Sequence, residues 1–143
     1  MNITQLSVFI ENKPGRLQKV LKVLADEKIN IISLTIAEMS DFGLVRMIVN
    51  DTKKAQNSLQ QNNIACSIVD VLAIKIGDEP GSLYNAIDAF AKMDLNIEYM
   101  YAFSHRIDNS AVMIFRFNNM ETAVKAINGS KHTILRNADI IGE

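Results

Sequence analysis

Two short stretches carry residue types able to hold a charged small molecule: Glu11-Asn12-Lys13-Pro14-Gly15-Arg16-Leu17 and Asp78-Glu79-Pro80-Gly81-Ser82-Leu83. A strand that ends in such a turn and feeds a helix leaves three or four backbone N–H groups free at the helix start. Those groups and the helix dipole attract an anion the size of a carboxylate. Gly15 and Gly81 remove side chains that would block close approach, and Pro14 and Pro80 fix φ and keep Lys13 and Glu79 extended. Beside this pole stand acceptors for an ammonium group, the amide oxygen of Asn12 and the carboxylate of Asp78. A site with one pole for an anion and one for a cation suits a free α-amino acid. Pro-Gly also simply begins helices, and duplication copies a structural turn as faithfully as a binding one, so both readings stand.

The elements that must position these turns recur. The offset from Pro14 to Pro80 is 66 residues (80 − 14) in a chain of 143. The same offset relates the helical stripe Leu17, Val20, Leu21, Leu24 to Leu83, Ala86, Ile87, Phe90, and Asn30-Ile31 to Asn96-Ile97. A fixed-period self-match marks a duplicated module. Residues 3–11 alternate as a half-buried strand, and residues 15–27 carry apolar side chains at i, i+3, i+4 and i+7, the face of an amphipathic helix. The β-branched runs at residues 30–38 and 44–49 read as a hairpin. A second helix carried by Ala55 and Leu59 has Asp51 or Thr52 to cap it. A strand at 64–69 then meets the next strand, 71–76, with no linker.

The second half repeats this order, with a helix to about residue 93, strands at 96–103 and 111–117, a helix at 119–127 and a last strand near 133–140. Past the hairpin the offset becomes 68, as Ala55 matches Ala123 and Leu59 matches Ile127, which places the two added residues between His105 and Ser110. Each half is therefore expected to be β-α-β-β-α-β: an α+β chain of two tandem ferredoxin-like modules, residues 1–70 and 71–143, with two helices on one face of each antiparallel sheet. Modules of this size bury marginal cores, so the halves are expected to pair with each other.

That topology hosts unrelated functions, and several are weighed by their residues. A metal chaperone needs a pair of cysteines in the first loop, which holds none, so no metal and no cofactor is expected. RNA-recognition modules stack bases on third-strand aromatics. Residues 44–49 offer none, Phe115 and Phe117 read as core, and a net charge of −1 from 15 basic and 16 acidic residues gives no nucleic-acid or anionic-membrane footprint. An acylphosphatase-like enzyme would use Arg16 and Asn12, but Ser82 replaces Arg16 in the repeat and no nucleophile–base pair stands out. His105 and His132 read as solvated surface residues. Cys66, alternating with Ile64 and Ile68, reads as a packed thiol, and Met39, Met47, Met100 and Met113 read as packing. A lone cysteine, no leader and no apolar run near the roughly 20 residues of a spanning helix lead to a cytoplasmic expectation.

The two loops, their spacing to Ile29-Asn30-Ile31 and Leu95-Asn96-Ile97, and the element order together resemble the ACT domain, a small module that regulates amino-acid metabolism by binding amino acids. The resemblance spans essentially the whole chain as two modules in tandem. It implies ligands held between paired modules, by the first loop of one and the start of the second strand of another. In the amino-acid-binding dehydrogenase branch the loop Asn and the second-strand Asn both contact the effector, which carries over to Asn12 and Asn30. Asn30 and Asn96 have a structural reading too, as turn residues tolerant of left-handed geometry. The second module keeps Asn96 but has Asp78 in the loop, so the two sites are expected to differ. The implied protein is non-catalytic, senses a free amino acid, and acts through a homodimer or a partner enzyme. The alternatives are an interaction subunit of a biosynthetic enzyme with vestigial pockets, and the small acylphosphatase-like enzyme.

Overall fold

The computed structural model describes residues 2–141. The described residues divide into two compact units, one of Thr4–Val69 and one that joins Asn2 and Ile3 to the residues from Asp70 to Ile141.

In the first unit the elements follow as β1 (Ile3–Glu11), α1 (Arg16–Asp26), β2 (Ile31–Met39), β3 (Phe42–Val49), α2 (Thr52–Gln61) and the opening residues of β4 (Cys66–Ile76). The strands lie in the order β2-β3-β1-β4. β1 and β3 are antiparallel with Leu6 opposite Met47 and Val8 opposite Val45, and Val20 and Leu24 of α1 and Ala55 and Leu59 of α2 bury against this row. The alternation of β1 is less one-sided than its sequence suggests. Gln5 and Ser7, on its other face, are also buried, and Gln5 Nε2 donates to Ser7 Oγ at 3.0 Å, which offsets the cost of taking both groups out of water.

In the second unit β4 continues into α3 (Ser82–Lys92), β5 (Ile97–Ala102), β6 (Ala111–Phe117), α4 (Met120–Asn128), β7 (Ile134–Leu135) and α5 (Asn137–Ile141). The strand order is β5-β6-β4-β7, the same arrangement. The expected strand at 133–140 is a correction. Pairing stops after Leu135, where Ala73 is its partner, and the Asp139 carboxylate accepts from the Arg136 backbone N–H at 2.8 Å. That local bond turns the chain into a short helix that seats Ile140, so the apolar residues that suggested a strand are buried by a helical turn.

Three helix ends share one device. Lys28, Asn63 and Asp94 adopt left-handed geometry (φ 58°, 60° and 59°), and the next residue donates its N–H back five positions, Ile29 to Leu24, Ile64 to Leu59 and Leu95 to Phe90. This closes orphan carbonyls and presses an apolar side chain onto the core. At the helix starts, the Asp51 and Asn119 side chains accept from Lys54 N–H at 3.1 Å and Thr122 N–H at 3.0 Å.

Phe90 centres the second core. It meets Phe115 and Phe117 edge-to-face at 5.5 and 5.8 Å between ring centroids and is fully buried. Phe90→Ala is expected to cost about 3–5 kcal/mol of unfolding free energy, read by urea denaturation. A loss under about 1 kcal/mol would contradict this packing.

Candidate functional site

Both Pro-Gly turns reverse the chain by the same conformation. Gly15 and Gly81 cap α1 and α3 with φ of 87° and 86°. A Cβ on either would meet no protein atom within 4 Å, so within the chain itself the glycines answer a backbone demand, the positive φ. Asn12 N–H donates to Asp41 O at 2.8 Å and Lys13 N–H to Glu11 O at 2.9 Å, while Arg16 N–H folds back to Lys13 O at 3.3 Å. The N–H groups of Gly15, Leu17 and Gln18 have no partner among the described residues. Neither first turn carries an acid or a side-chain cap, so the partial positive charge of the helix start is left for something else.

The side chains around the two turns differ. In the first, Glu11 pairs with Lys13 at 3.1 Å and Arg16 at 3.7 Å, and the hydrogen bond from Lys13, then the charges of Lys13 and Arg16, hold its carboxyl below the usual range. These pairs are solvent-exposed and contribute little stability. Asn12 and Pro14 are exposed. Behind Glu11 and Arg16 lies a cavity of about 300 Å³ walled by Phe9, Val20, Phe42 and Ile64 and edged by Lys19. In the second turn the Asp78 carboxylate is not free for an ammonium, because Arg106 of the β5–β6 hairpin pairs with it. Ser82 Oγ accepts from Glu79 N–H at 3.2 Å, Pro80 and Gly81 are exposed, and Leu83 is 42% exposed.

Asn30 and Asn96 are not the left-handed residues of their turns; Lys28 and Asp94 are. Asn30 instead exchanges bonds with Asn50, donating its N–H to Asn50 Oδ1 at 2.9 Å and accepting from Asn50 N–H at 3.1 Å. Asn96 O accepts from Asn118 N–H at 3.1 Å. Both side chains are exposed. Within one module, Asn12 and Asn30 stand at opposite ends of the sheet. Glu11 faces Phe42 and Ile31 faces Val49, a separation of roughly 23 Å along β3. Ile97 and Phe117 pair at the far end of the second sheet in the same way. One module therefore does not gather both asparagines into one site.

Several residues lie elsewhere than expected. His132 is not a solvated surface group. Its ring stands against Phe90 at 5.3 Å, its Nε2 is buried without a hydrogen bond, and burial followed by the charge of Lys131 pushes its pKa down. His105 is exposed, within 3.0 Å of Ser104 Oγ. Cys66 packs on the first core and burial raises its pKa. Met47 lies in the first core and Met100 and Met113 against the second, whereas the side chain of Met39 lies outside what is described. The sequence reading missed Lys19, Phe42 and the loop before β4, which edge the cavity. No local sequence signal marks them, because the cavity forms only where β1, α1, β3 and the loop before β4 meet.

A family model described as an ACT domain pair matches residues 1–142. The chain belongs to the ACT domain pair family. Among solved structures, protein BT0572 from Bacteroides thetaiotaomicron is 38% identical, with 100% of this chain and 98% of that one covered and a TM-score of 0.91. The regulatory subunit of aspartate kinase from Thermus thermophilus, in a ligand-free form, shares the fold at 18% identity, 90% and 91% coverage and a TM-score of 0.61. The corresponding subunit from Thermus flavus does so at 17% identity, 88% and 90% coverage and a TM-score of 0.60. No curated protein matches the chain. Among the described residues no helix is long and apolar enough to cross a membrane and no cluster of metal-binding side chains occurs.

Two outcomes follow from this geometry. Gly15→Ala and Gly81→Ala should each cost about 1–2 kcal/mol from the left-handed φ alone, and Gly→Asn less, since Asn tolerates that region. A denaturation series in which Ala and Asn variants match wild type would contradict the turn. For His132, an unfolded chain takes up a proton near its ordinary value of 6.5, whereas the folded chain does so only at lower pH. Stability from this group is therefore present above that value and is lost as pH falls through the interval below it. The urea midpoint of His132→Gln should fall less than that of wild type between about pH 7 and about pH 5. Equal falls would contradict the burial argument.

Proposed function

We propose that this protein is a non-catalytic regulatory ACT domain pair that binds a free amino acid at the Pro14-Gly15 loop and, in response, alters its own assembly or a partner enzyme's activity. The observation that carries this is the free set of N–H groups at Gly15, Leu17 and Gln18, beside a small cavity with both charge signs at its edge. The α-carboxylate sits on those groups, and the Asn12 amide oxygen takes the ammonium. The opposite ends held by Asn12 and Asn30 require a second copy of the chain to bring Asn30 and Ile31 to the loop, and a two-fold homodimer does this twice. Lys13, Arg16 and Leu17 frame the effector. Binding then favours the paired arrangement, which is the coupling that regulation needs.

A second reading suits the second module. Its loop acceptor is engaged by Arg106, and Leu83 and Tyr84 are exposed. There Asp78, Glu79, Pro80, Gly81, Ser82 and Leu83 form a copy of the loop, completed by Asn96 and Ile97 from a second copy of the chain, that an amino acid enters only by releasing Arg106, or an interaction surface. The module boundary we adopt lies between residues 70 and 71. A thermal-shift screen against the common amino acids tests the sensor reading. Ligand at about 100 times its dissociation constant stabilises by about 2.7 kcal/mol, and Asn12→Ala with Asn30→Ala should remove the shift. No shift from any amino acid at millimolar concentration would sink the proposal.

A further inference from the structure

The second module has a cavity of its own, of about 360 Å³, and it occupies the same place as the cavity of the first. The correspondence runs residue by residue. An offset of 66 relates Phe9 to Lys75 and Glu11 to Gly77, and an offset of 68 relates Phe42 to Ser110, Asn63 to Lys131, Ile64 to His132 and Ala65 to Thr133. Duplication supplied the cavity, and divergence then changed its lining. Apolar walls became basic or polar ones, and the carboxylate of Glu11 became the bare Gly77. On the helix side Arg16 and Lys19 became Ser82 and Asn85, so the cations moved from the helix to the strand and the loop before β7. No carboxylate lines the second cavity.

We propose that this cavity is a second ligand site, for a small oxyanion, a phosphate or a dicarboxylate, held between the ammonium groups of Lys75 and Lys131 with Thr133, Ser110 and Asn85 as further donors. It lies in the second module at the position equivalent to the first-module cavity, takes a different class of ligand, shares only Ser82 with the loop copy described above, and does not rest on that reading. Lys75 already shows the chemistry. Its Nζ holds the Asp108 carboxylate at 2.8 Å, and the side chain is only 24% exposed while Asp108 is 78% exposed. Asp108 sits with Asn109 at the tip of the hairpin, both in left-handed geometry, inside the segment that carries the two added residues. The other carboxylate near Lys75 is Asp139, which feels its charge but stays with Arg136. Lys131 has no ion pair among the described residues. An oxyanion therefore replaces an exposed pair, which is worth little, by contacts to two ammonium groups in a partly enclosed space, where charge-assisted hydrogen bonds are stronger.

The test is a titration followed by ¹H–¹⁵N spectra at constant ionic strength, with inorganic phosphate in one arm and malonate in the other. Saturable shifts are expected at Lys75 and residues 131–133. Lys131→Gln should weaken binding about tenfold, the value of one charge-assisted hydrogen bond, and Asp108→Asn should tighten it about threefold by removing the competing carboxylate. Both positions are exposed, and Asn suits the left-handed turn, so neither variant threatens the fold. Lys22→Gln, on the exposed face of α1, should change nothing. Tighter phosphate assigns a phosphorylated ligand, and tighter malonate a dicarboxylate. Shifts that do not saturate, an unchanged affinity in Lys131→Gln, or a weaker one in Asp108→Asn would each overturn the proposal.

Discussion

The left-handed glycine after each proline sets everything downstream of it. The first strand of each module must reverse onto its own sheet within a few residues, and a residue with a side chain resists the φ near 87° that makes this possible. Once Gly15 takes it, α1 lands with Val20 and Leu24 over Leu6 and Val8, and Asn12 is pinned to Asp41. The same turn leaves the helix N–H groups exposed. Core and candidate site thus follow from a single backbone constraint, met twice.

The modules part company at the hairpin. In the first, Ser40 turns the chain in left-handed geometry between β2 and β3, and the Pro-Gly loop balances Glu11 with its own Lys13 and Arg16. In the second, a longer hairpin closed by the Ile107–Ser110 bridge brings Arg106 to Asp78 and Asp108 to Lys75. Two added residues are enough to place a cation and an anion over an older site. Because each exposed pair is weak, these contacts bias the loop without locking it, which leaves room for ligands to compete.

The repeat, the element order and the fold were legible because apolar spacing and Pro-Gly punctuation are local signals that survive duplication. What stayed hidden depends on contacts distant in sequence. The run 133–140 is as apolar as a strand, and only the Asp139 bond to Arg136 N–H ends it. His132 reads from its neighbours as a surface residue, yet the fold sets its ring against Phe90. Asp78 looked like a free acceptor because its partner lies in the hairpin insertion. Asn30 and Asn96 suggested left-handed turns, yet Lys28 and Asp94 take that conformation because the helix end selects the position that lets Ile29 or Leu95 reach the core. For the candidate site, sequence supplied the loop, while the cavity beside it appears only once Phe42 and the loop before β4 are folded around Glu11.

The central claim is that the helix start after Pro14-Gly15 receives the carboxylate of an amino acid. It is tested most directly by following the backbone amide resonances of Gly15, Leu17 and Gln18 while the effector found by screening is added. The account predicts saturable downfield shifts at those three amides, as expected for N–H groups that gain a charged acceptor, with smaller changes elsewhere in the first module. Saturable binding that leaves those amides unmoved would contradict it.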